Sequence, residues 1–352
     1  MKNKSFSITV FFATVFLISI VAGFNYFFDS YGFFQNNKGL SAAAKAIGQG
    51  RIVAGLENYD ERIFQKQIYN NFGKIPDCIA IGSSKSMMIQ SNMVTCHGKF
   101  FNHSVSDASL EDYISITGIY AKDDRLPKKI ILGIDPWIFN KNTGRGDWET
   151  LKDEYAFMLS QISTRKDNKT YDTKNNYLQL INFDNTIYNI EHLNKGNLIK
   201  VVINENIDSS IKRADGSIEY PYKIRFQSDV ETKKNAIQYI SGKVYNLEDF
   251  DQLSNVQLFE DFIVYLQHHN IEVEFFIPPY HPIVYDYISN NHKYHNVLKV
   301  EEYLNAFAFH HKIKILGSYN PYKYGLTSKD FTDGMHSKSY VSAIIFKNIP
   351  LH

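Results

Sequence analysis

Net charge is almost absent from this chain: 38 Lys and Arg stand against 37 Asp and Glu, a formal +1 at pH 7. So even a balance offers no global electrostatic case for nucleic acid as a partner. Cysteine is scarce as well, with Cys78 and Cys96 the only two in 352 residues. The 12 histidines include His268-His269, His310-His311 and His292-x-x-His295, but no Cys or carboxylate spacing completes a zinc site around them. No metal or other cofactor is expected. Internal repeats and low-complexity tracts are lacking too. What is present is core-forming: 44% hydrophobic against 21% charged residues excludes disorder by composition. The length suits one large domain or two moderate ones. The 24 Tyr and 26 Phe fit core packing and leave room for a sugar-binding surface, since aromatic rings suit sugar faces.

Charge is missing altogether from Ser5 to Phe28, and Ile8 to Phe24 are strongly apolar. About 20 such residues span a bilayer as a helix. Lys2 and Lys4 precede the run and Asp29 follows it, so the positive-inside rule puts the N-terminus in the cytoplasm and the rest beyond the membrane. A cleaved signal peptide is the rival reading. Its apolar core is usually shorter, with a small-x-small site directly after it. Here Phe24, Tyr26, Phe27 and Phe28 follow instead, like an interfacial aromatic belt. Residues 1–28 are expected to be a cytoplasmic tip and uncleaved anchor. The chain is then a single-pass protein of the cytoplasmic membrane, its body on the periplasmic or extracellular side. Outside the cytoplasm a cysteine pair tends to be oxidised. Cys78 begins one expected strand and Cys96 lies just before the next, so a disulfide closing this loop competes with two buried free thiols.

Residues 29–75 read as a connector with some helix. Ser41 to Gln49 is small and Ala-rich, and apolar residues recur at Phe64, Ile68 and Phe72. From Cys78 short apolar runs alternate with amphipathic ones. Strands are expected over 78–82, 99–104, 129–134, 271–277 and 312–317, and helices over 108–121, 254–269, 298–310 and 338–347. Such alternation implies an α/β fold whose parallel sheet is covered on both faces. Right-handed crossovers make it doubly wound and flavodoxin-like. The pattern breaks over about 140–250, a polar stretch rich in Asn, Lys, Asp and Tyr. Within it Ala214-Asp215-Gly216-Ser217 reads as a hairpin turn between Ile211–Arg213 and Ile218–Tyr220. The stretch reads as an insertion near the strand ends, in the manner of a lid or specificity element.

One stretch organises the rest: Cys78-Ile79-Ala80-Ile81-Gly82-Ser83-Ser84-Lys85-Ser86. It reads as a buried strand, a turn and the start of a helix. That geometry lifts a serine hydroxyl to the carboxyl edge of the sheet, beside the N–H groups and positive end of the following helix. Serine needs a base, and the pointed candidate is Asp333-Gly334-Met335-His336, near the other end of the chain. An acid three residues before a histidine can fold back on the imidazole, hold its tautomer and stabilise the imidazolium. Lys85 reads either as a solvated helix side chain or as an attractor of an anionic polymer.

The order of these blocks resembles the SGNH hydrolases, also called the GDSL family, over residues 78 to about 347, and the expected SGNH-like domain is 76–350. Gly82-Ser83-Ser84 matches the family's Gly-Asp-Ser, which makes Ser84 the nucleophile. Asn102-His103-Ser104-Val105-Ser106-Asp107-Ala108-Ser109 is similar to the stretch that supplies a backbone oxyanion donor, with Asp107 where the family has glycine. Leu132-Gly133-Ile134-Asp135 stands in for Gly-x-Asn, and Asp333-Gly334-Met335-His336 matches Asp-x-x-His, which implies His336 as base and Asp333 as its orienting carboxylate. Asp107 keeps the backbone N–H but alters the local dihedral preference. Asp135 is the sharper departure, because an ionised carboxylate repels an oxyanion, and losing one donor typically costs roughly 10²–10³ in rate. Either Asp135 is protonated, or it faces elsewhere, or Asn102, Asn140, Tyr280 or His281 donates in its place.

The resemblance narrows, through Gly-Ser-Ser and the anchor, to membrane-anchored SGNH-like proteins of cell-envelope assembly. It implies a serine O-acyltransferase or esterase acting on acyl groups of an envelope polysaccharide or related glycan. The alternative is a catalytically silent SGNH scaffold that binds glycan or assists polymer assembly. The resemblance leaves room for a membrane partner that delivers the acyl group, and nothing in the sequence separates a sugar hydroxyl from water as the acceptor.

Overall fold

Five apolar runs join into one parallel sheet. In the computed structural model, which describes residues 2–28, 38–57, 59–143, 146–162, 180–192, 199–242, 244–247 and 249–347, the chain begins with helix α1 (Lys2–Phe27). There follow α2 (Lys38–Gly48), β1 (Ile52–Ala54), α3 (Glu61–Tyr69), β2 (Cys78–Ile81), β3 (Phe100–Asn102), α4 (Leu110–Ala121) and β4 (Lys129–Gly133). The middle of the chain carries α5 (Lys152–Ile162), α6 (Phe183–His192), β5 (Lys200–Val202), β6 (Ile211–Lys212), β7 (Ile218–Glu219), α7 (Tyr222–Arg225) and α8 (Asp229–Ile240). The last part adds α9 (Val256–His268), β8 (Glu272–Ile277), α10 (Pro282–Asn290), α11 (His295–His311), β9 (Lys314–Gly317) and α12 (Ser339–Lys347). Asp29, residues 348–350 and parts of the expected insertion lie outside the described residues.

The large sheet runs in the order β3-β2-β4-β8-β9, and every pairing is parallel. In register, Ile79 stands beside Phe101 and Ile130, and Phe275 beside Ile315. Alternate residues leave by opposite faces. Ile79, Ile81, Ile130, Leu132, Phe275 and Ile277 enter a core with α4, α9 and α11, while Ala80, Ile131, Phe276 and Leu316 meet Val341 and Ile345 of α12. Burial on both faces is why these strands read as unbroken apolar runs. Each fully buried Ile, Leu or Phe contributes roughly 1.5–3 kcal/mol relative to exposure. Cys78, at the start of β2, is joined to Cys96 in a disulfide with Cα atoms 6.1 Å apart.

A second sheet, of order β5-β1-β6-β7, is antiparallel throughout. The stretch read as a connector therefore supplies β1 to a sheet whose other strands come from the insertion. It also supplies α3, whose Arg62 pairs with Asp112 at 2.9 Å and donates to the Ser106 carbonyl at 2.7 Å. The 211–220 hairpin forms with its turn at 214–217. Its tip docks on the large sheet: the Asn102 N–H donates to the Asp215 carbonyl at 2.7 Å and the Ile218 N–H to the Met87 carbonyl at 2.9 Å. Gly216 at φ +78° makes this possible, since a Cβ there would run into the Asn102 carbonyl and the Phe101 ring.

Helix α1 is long and apolar enough to cross a membrane. Its Phe6–Phe27 stretch of 22 residues has a mean hydropathy of 2.3, and Asn25 near its end is the one residue of the stretch buried within the protein.

Candidate active site

Ser84 sits immediately past the carboxyl end of β2, after Gly82 and Ser83. The expected helix is not there: only a single 3-10 turn, Ser84–Ser86, follows, capped by the Ser83 hydroxyl accepting from the Lys85 N–H at 3.2 Å. The turn folds Ser86 back between the Gly82 and Gly133 backbones, a space in which a Cβ on Gly82 would lie 2.5 Å from the Ser86 hydroxyl. Three residues carry little macrodipole, so the electrostatic support expected from a helix N-terminus shrinks to local N–H groups.

The structure brings Ser84, His336 and Asp333 together. Ser84 Oγ lies 2.8 Å from His336 Nε2, and His336 Nδ1 lies 2.8 Å from Asp333 Oδ2. Asp333 Oδ1 accepts from the Met335 and His336 N–H groups, both at 2.8 Å, so the carboxylate folds back over its own turn. Burial alone would raise the Asp333 carboxyl. The charge and hydrogen bond of His336 and the two backbone donors outweigh it and hold the group below the usual carboxylate range. A serine hydroxyl on an imidazole oriented by an ionised carboxylate can lose its proton as it attacks a carbonyl.

Asp107 stands at φ +54°, the left-handed conformation that glycine adopts freely and aspartate tolerates. The backbone here thus has a glycine-like turn at an aspartate. Its carboxylate accepts from the Tyr245 hydroxyl at 2.6 Å. The preceding residue is pinned from α3, with the Ser106 N–H donating to Glu61.

Asp135 is closed off from solvent. It is fully buried, its Oδ1 3.3 Å from the Nζ of Lys85. Lys85 is no solvated side chain: its ammonium is buried, donates to the Pro278 carbonyl at 3.3 Å and stands 3.7 Å over the Tyr280 ring. The carboxylate of Asp135 and the ring face of Tyr280 turn this lysine inward, which also removes it as a surface attractor. Burial lowers the Lys85 ammonium, with Asp135 and Asp333 pulling the other way. Burial raises the Asp135 carboxyl, opposed by Lys85, Ser83 and His336.

The remaining donor candidates divide. Asn102 is occupied: its Nδ2 donates to the Ser86 and Ile89 carbonyls at 2.9 and 3.0 Å, so it braces the serine turn. The Asn140 amide donates to the Asn246 carbonyl at 3.2 Å. Tyr280 and His281 lie at the site, on the loop between β8 and α10. The Tyr280 hydroxyl and His281 Nε2 are buried without a hydrogen-bond partner, while the His281 N–H donates to the Gly334 carbonyl at 3.2 Å. Burial pushes the His281 imidazole down to about 4.

Two tyrosines outside the motifs complete the surround. Tyr239, also with a buried unpartnered hydroxyl, packs on the Gly334 backbone, where an added Cβ would sit 2.7 Å from its own. The Tyr220 ring centre is 6.4 Å from that of His336. Tyr220 also lines a cavity of about 390 Å³ with Arg225, Phe226, Thr332, Lys338 and Tyr340. A larger cavity of about 600 Å³, lined by Gly48, Asn71 and Lys99, lies away from the triad. Tyr220 was within reach of sequence reasoning, because it ends the hairpin that the Gly216 turn marks. Tyr239 lies in a polar helix with no motif to flag it. Among the described residues no cluster of His, Cys, Asp and Glu could hold a metal ion. Comparison with family models, with curated proteins and with solved structures finds no match to this chain.

Proposed function

We propose that the protein is a serine esterase or O-acyltransferase of the SGNH type, anchored by α1, acting on acyl groups of a cell-envelope glycan. The observation that carries the proposal is the unbroken relay Ser84–His336–Asp333, with both links at 2.8 Å. Supporting it, with β2 as the first strand the large sheet has order 2-1-3-4-5, the flavodoxin-like doubly wound order, and Ser84 lies at the carboxyl edge where such sheets bind ligands. The glycine-like backbone at Asp107 fits the role of an oxyanion donor.

In the proposed reaction His336 Nε2 takes the Ser84 proton as Oγ attacks the ester carbonyl. The Ser84 and Asp107 backbone N–H groups receive the oxyanion. His336 then returns the proton to the leaving alcohol oxygen, and the acyl group stays on Ser84. A sugar hydroxyl or water attacks the acyl-serine, gives its proton to His336, and Ser84 recovers it as the new ester or acid departs. The cavity beside Tyr220 is the proposed seat of the glycan, and the Tyr239 and Tyr280 hydroxyls are the proposed replacements for the missing asparagine donor. The body lies on the extracytoplasmic side in this reading, facing an acyl-delivering membrane partner.

A fluorophosphonate probe tests the assignment. It should label the full-length protein and fail to label Ser84→Ala, while labelling retained by that variant would remove Ser84 as the acylated group. The second reading, a binding scaffold without turnover, draws on one observation: the Asp135–Lys85 pair takes the usual side-chain donor out of the site. A wild-type protein that binds glycan but never takes the probe would favour it.

A further inference from the structure

Helix α6 carries its polarity on the wrong side for a helix in water. Asn25, two residues before the end of α1, is fully buried against it. Asn25 Nδ2 donates to the Leu180 carbonyl and to Thr186 Oγ1, both at 2.8 Å, and Asn25 Oδ1 accepts from Asn189 Nδ2 at 3.0 Å. The exposed side chains described on α6 are aliphatic and aromatic. Phe183 is 74% exposed, Ile187 40% and Ile190 54%, at the spacing of one helix face, and Ile181 just before them is 52% exposed. A helix on a soluble protein turns such a face into the core. Here amide and hydroxyl groups face the neighbouring helix and apolar side chains face out, the arrangement that hydrocarbon surroundings demand. The contact also fixes the depth. Asn25 belongs to the apolar Phe6–Phe27 stretch, so α6 lies beside the last turns of that stretch, where Tyr26 and Phe27 are exposed too.

We infer that α6 is an interfacial helix whose Phe183, Ile187 and Ile190 side chains seat in the lipid of the leaflet where α1 ends. The inference rests on α1 crossing the membrane. Its occupant is lipid, with the apolar face about 5–10 Å into the boundary between headgroups and acyl chains. A body held by α1 alone could swing about one helix end. A second seat on α6, locked to α1 through Asn25, fixes its orientation over the membrane.

Depth-dependent quenching tests this on the full chain in phosphatidylcholine vesicles that carry a spin label either high or deep in the acyl chain. Both native cysteines are in the disulfide, so one introduced cysteine takes a fluorophore alone. Labels on Phe183→Cys and Ile187→Cys should lose fluorescence to the shallow spin label more than to the deep one. A label on Phe16→Cys should be quenched by the deep one, and a label on exposed Lys234→Cys of α8 by neither. Quenching at position 16 but at neither α6 position would overturn the seat and leave the α1 span standing. No quenching at any of them would remove both.

Discussion

The parallel sheet and the antiparallel sheet differ in what their strands are made of. Strands β2, β4 and β8 bury almost every side chain on two faces and are dominated by Ile, Leu, Val and Phe. Strands β6 and β7 are two residues each, and β5 leaves Lys200 and Val201 exposed. The first sheet is held by its own core. The second is held by what it touches, through Gly216 on Asn102 and Ile218 on Met87. The two sheets share the site unequally. The parallel one carries Ser84 at the end of a strand, and the chain after β9 brings His336 to it. The antiparallel one supplies a wall through Tyr220. Machinery built on a buried sheet with a variable wall built on a surface one is a division that lets the wall change without disturbing the machinery.

Variants can test whether the division is real. The largest effect is expected on the parallel-sheet side. Asp333→Asn keeps the loop but gives His336 a partner that no longer stabilises the imidazolium. Hydrolysis of a small activated ester should fall by about 10⁴-fold, far out of proportion to the modest drop in melting temperature expected from losing the carboxylate. A loss below tenfold would mean that the relay is not what turns over the ester.

Next comes the buried pair beneath the site. Asp135→Asn introduces the residue that the proposed SGNH reading would expect but leaves the Lys85 ammonium buried without its carboxylate. Breaking one side of such a pair costs about 3–5 kcal/mol, measured by denaturant unfolding. The double variant Asp135→Asn with Lys85→Met should regain most of that stability. If the single change is neutral, the pair is not charged in the native protein, and the parallel-sheet site is less dependent on it than its geometry indicates.

The wall is tested at Gly216. Gly216→Val forces a β-branched residue to φ +78° and into the Asn102 carbonyl, at a cost of about 2 kcal/mol or more. Because the hairpin carries Tyr220, KM for a glycan ester should rise more than kcat falls, while probe labelling of Ser84 persists. Loss of labelling would show that the two sheets are one functional unit and not two.

The same contrast explains what the sequence made legible. All five parallel strands are visible in it to within about two residues, because burial, on both faces in the central strands, leaves short apolar runs. The spacing Asp333-x-x-His336 carries its own geometry, since three residues in a turn bring the carboxylate back to the ring. Strand β1 was invisible, being three residues whose partners lie about 150–160 positions further on. The absent helix after Ser84 and the inward turn of Lys85 are decided by tertiary packing, by the room between Gly82 and Gly133 and by the buried carboxylate of Asp135, two residues past β4. Neither leaves a periodic signal.

The smallest expected effect concerns pH and separates the loop at Tyr280–His281 from the carboxylate it faces. His281 is pushed down to about 4 by burial, against an ordinary value of about 6.5 in the unfolded chain. Between those values the unfolded chain binds a proton that the native protein refuses, so stability is full above about 6.5 and falls as pH drops towards about 4. Asp333 moves the other way, held below the usual carboxylate range, and its contribution is lost only in more acidic solution, as pH falls from about 3.9 through its lowered native value. The melting temperature should therefore decline by several degrees between about pH 7 and about pH 4.5 before Asp333 titrates. His281→Asn keeps an acceptor for the Ile283 N–H, as asparagine does at helix starts, and removes one titrating group from that window. Its decline should be shallower than that of the wild type, though not flat, because buried His103 is also held well below its ordinary value. An unchanged slope in His281→Asn would mean that His281 is already open to water, and that the loop is looser than the parallel sheet from which it emerges.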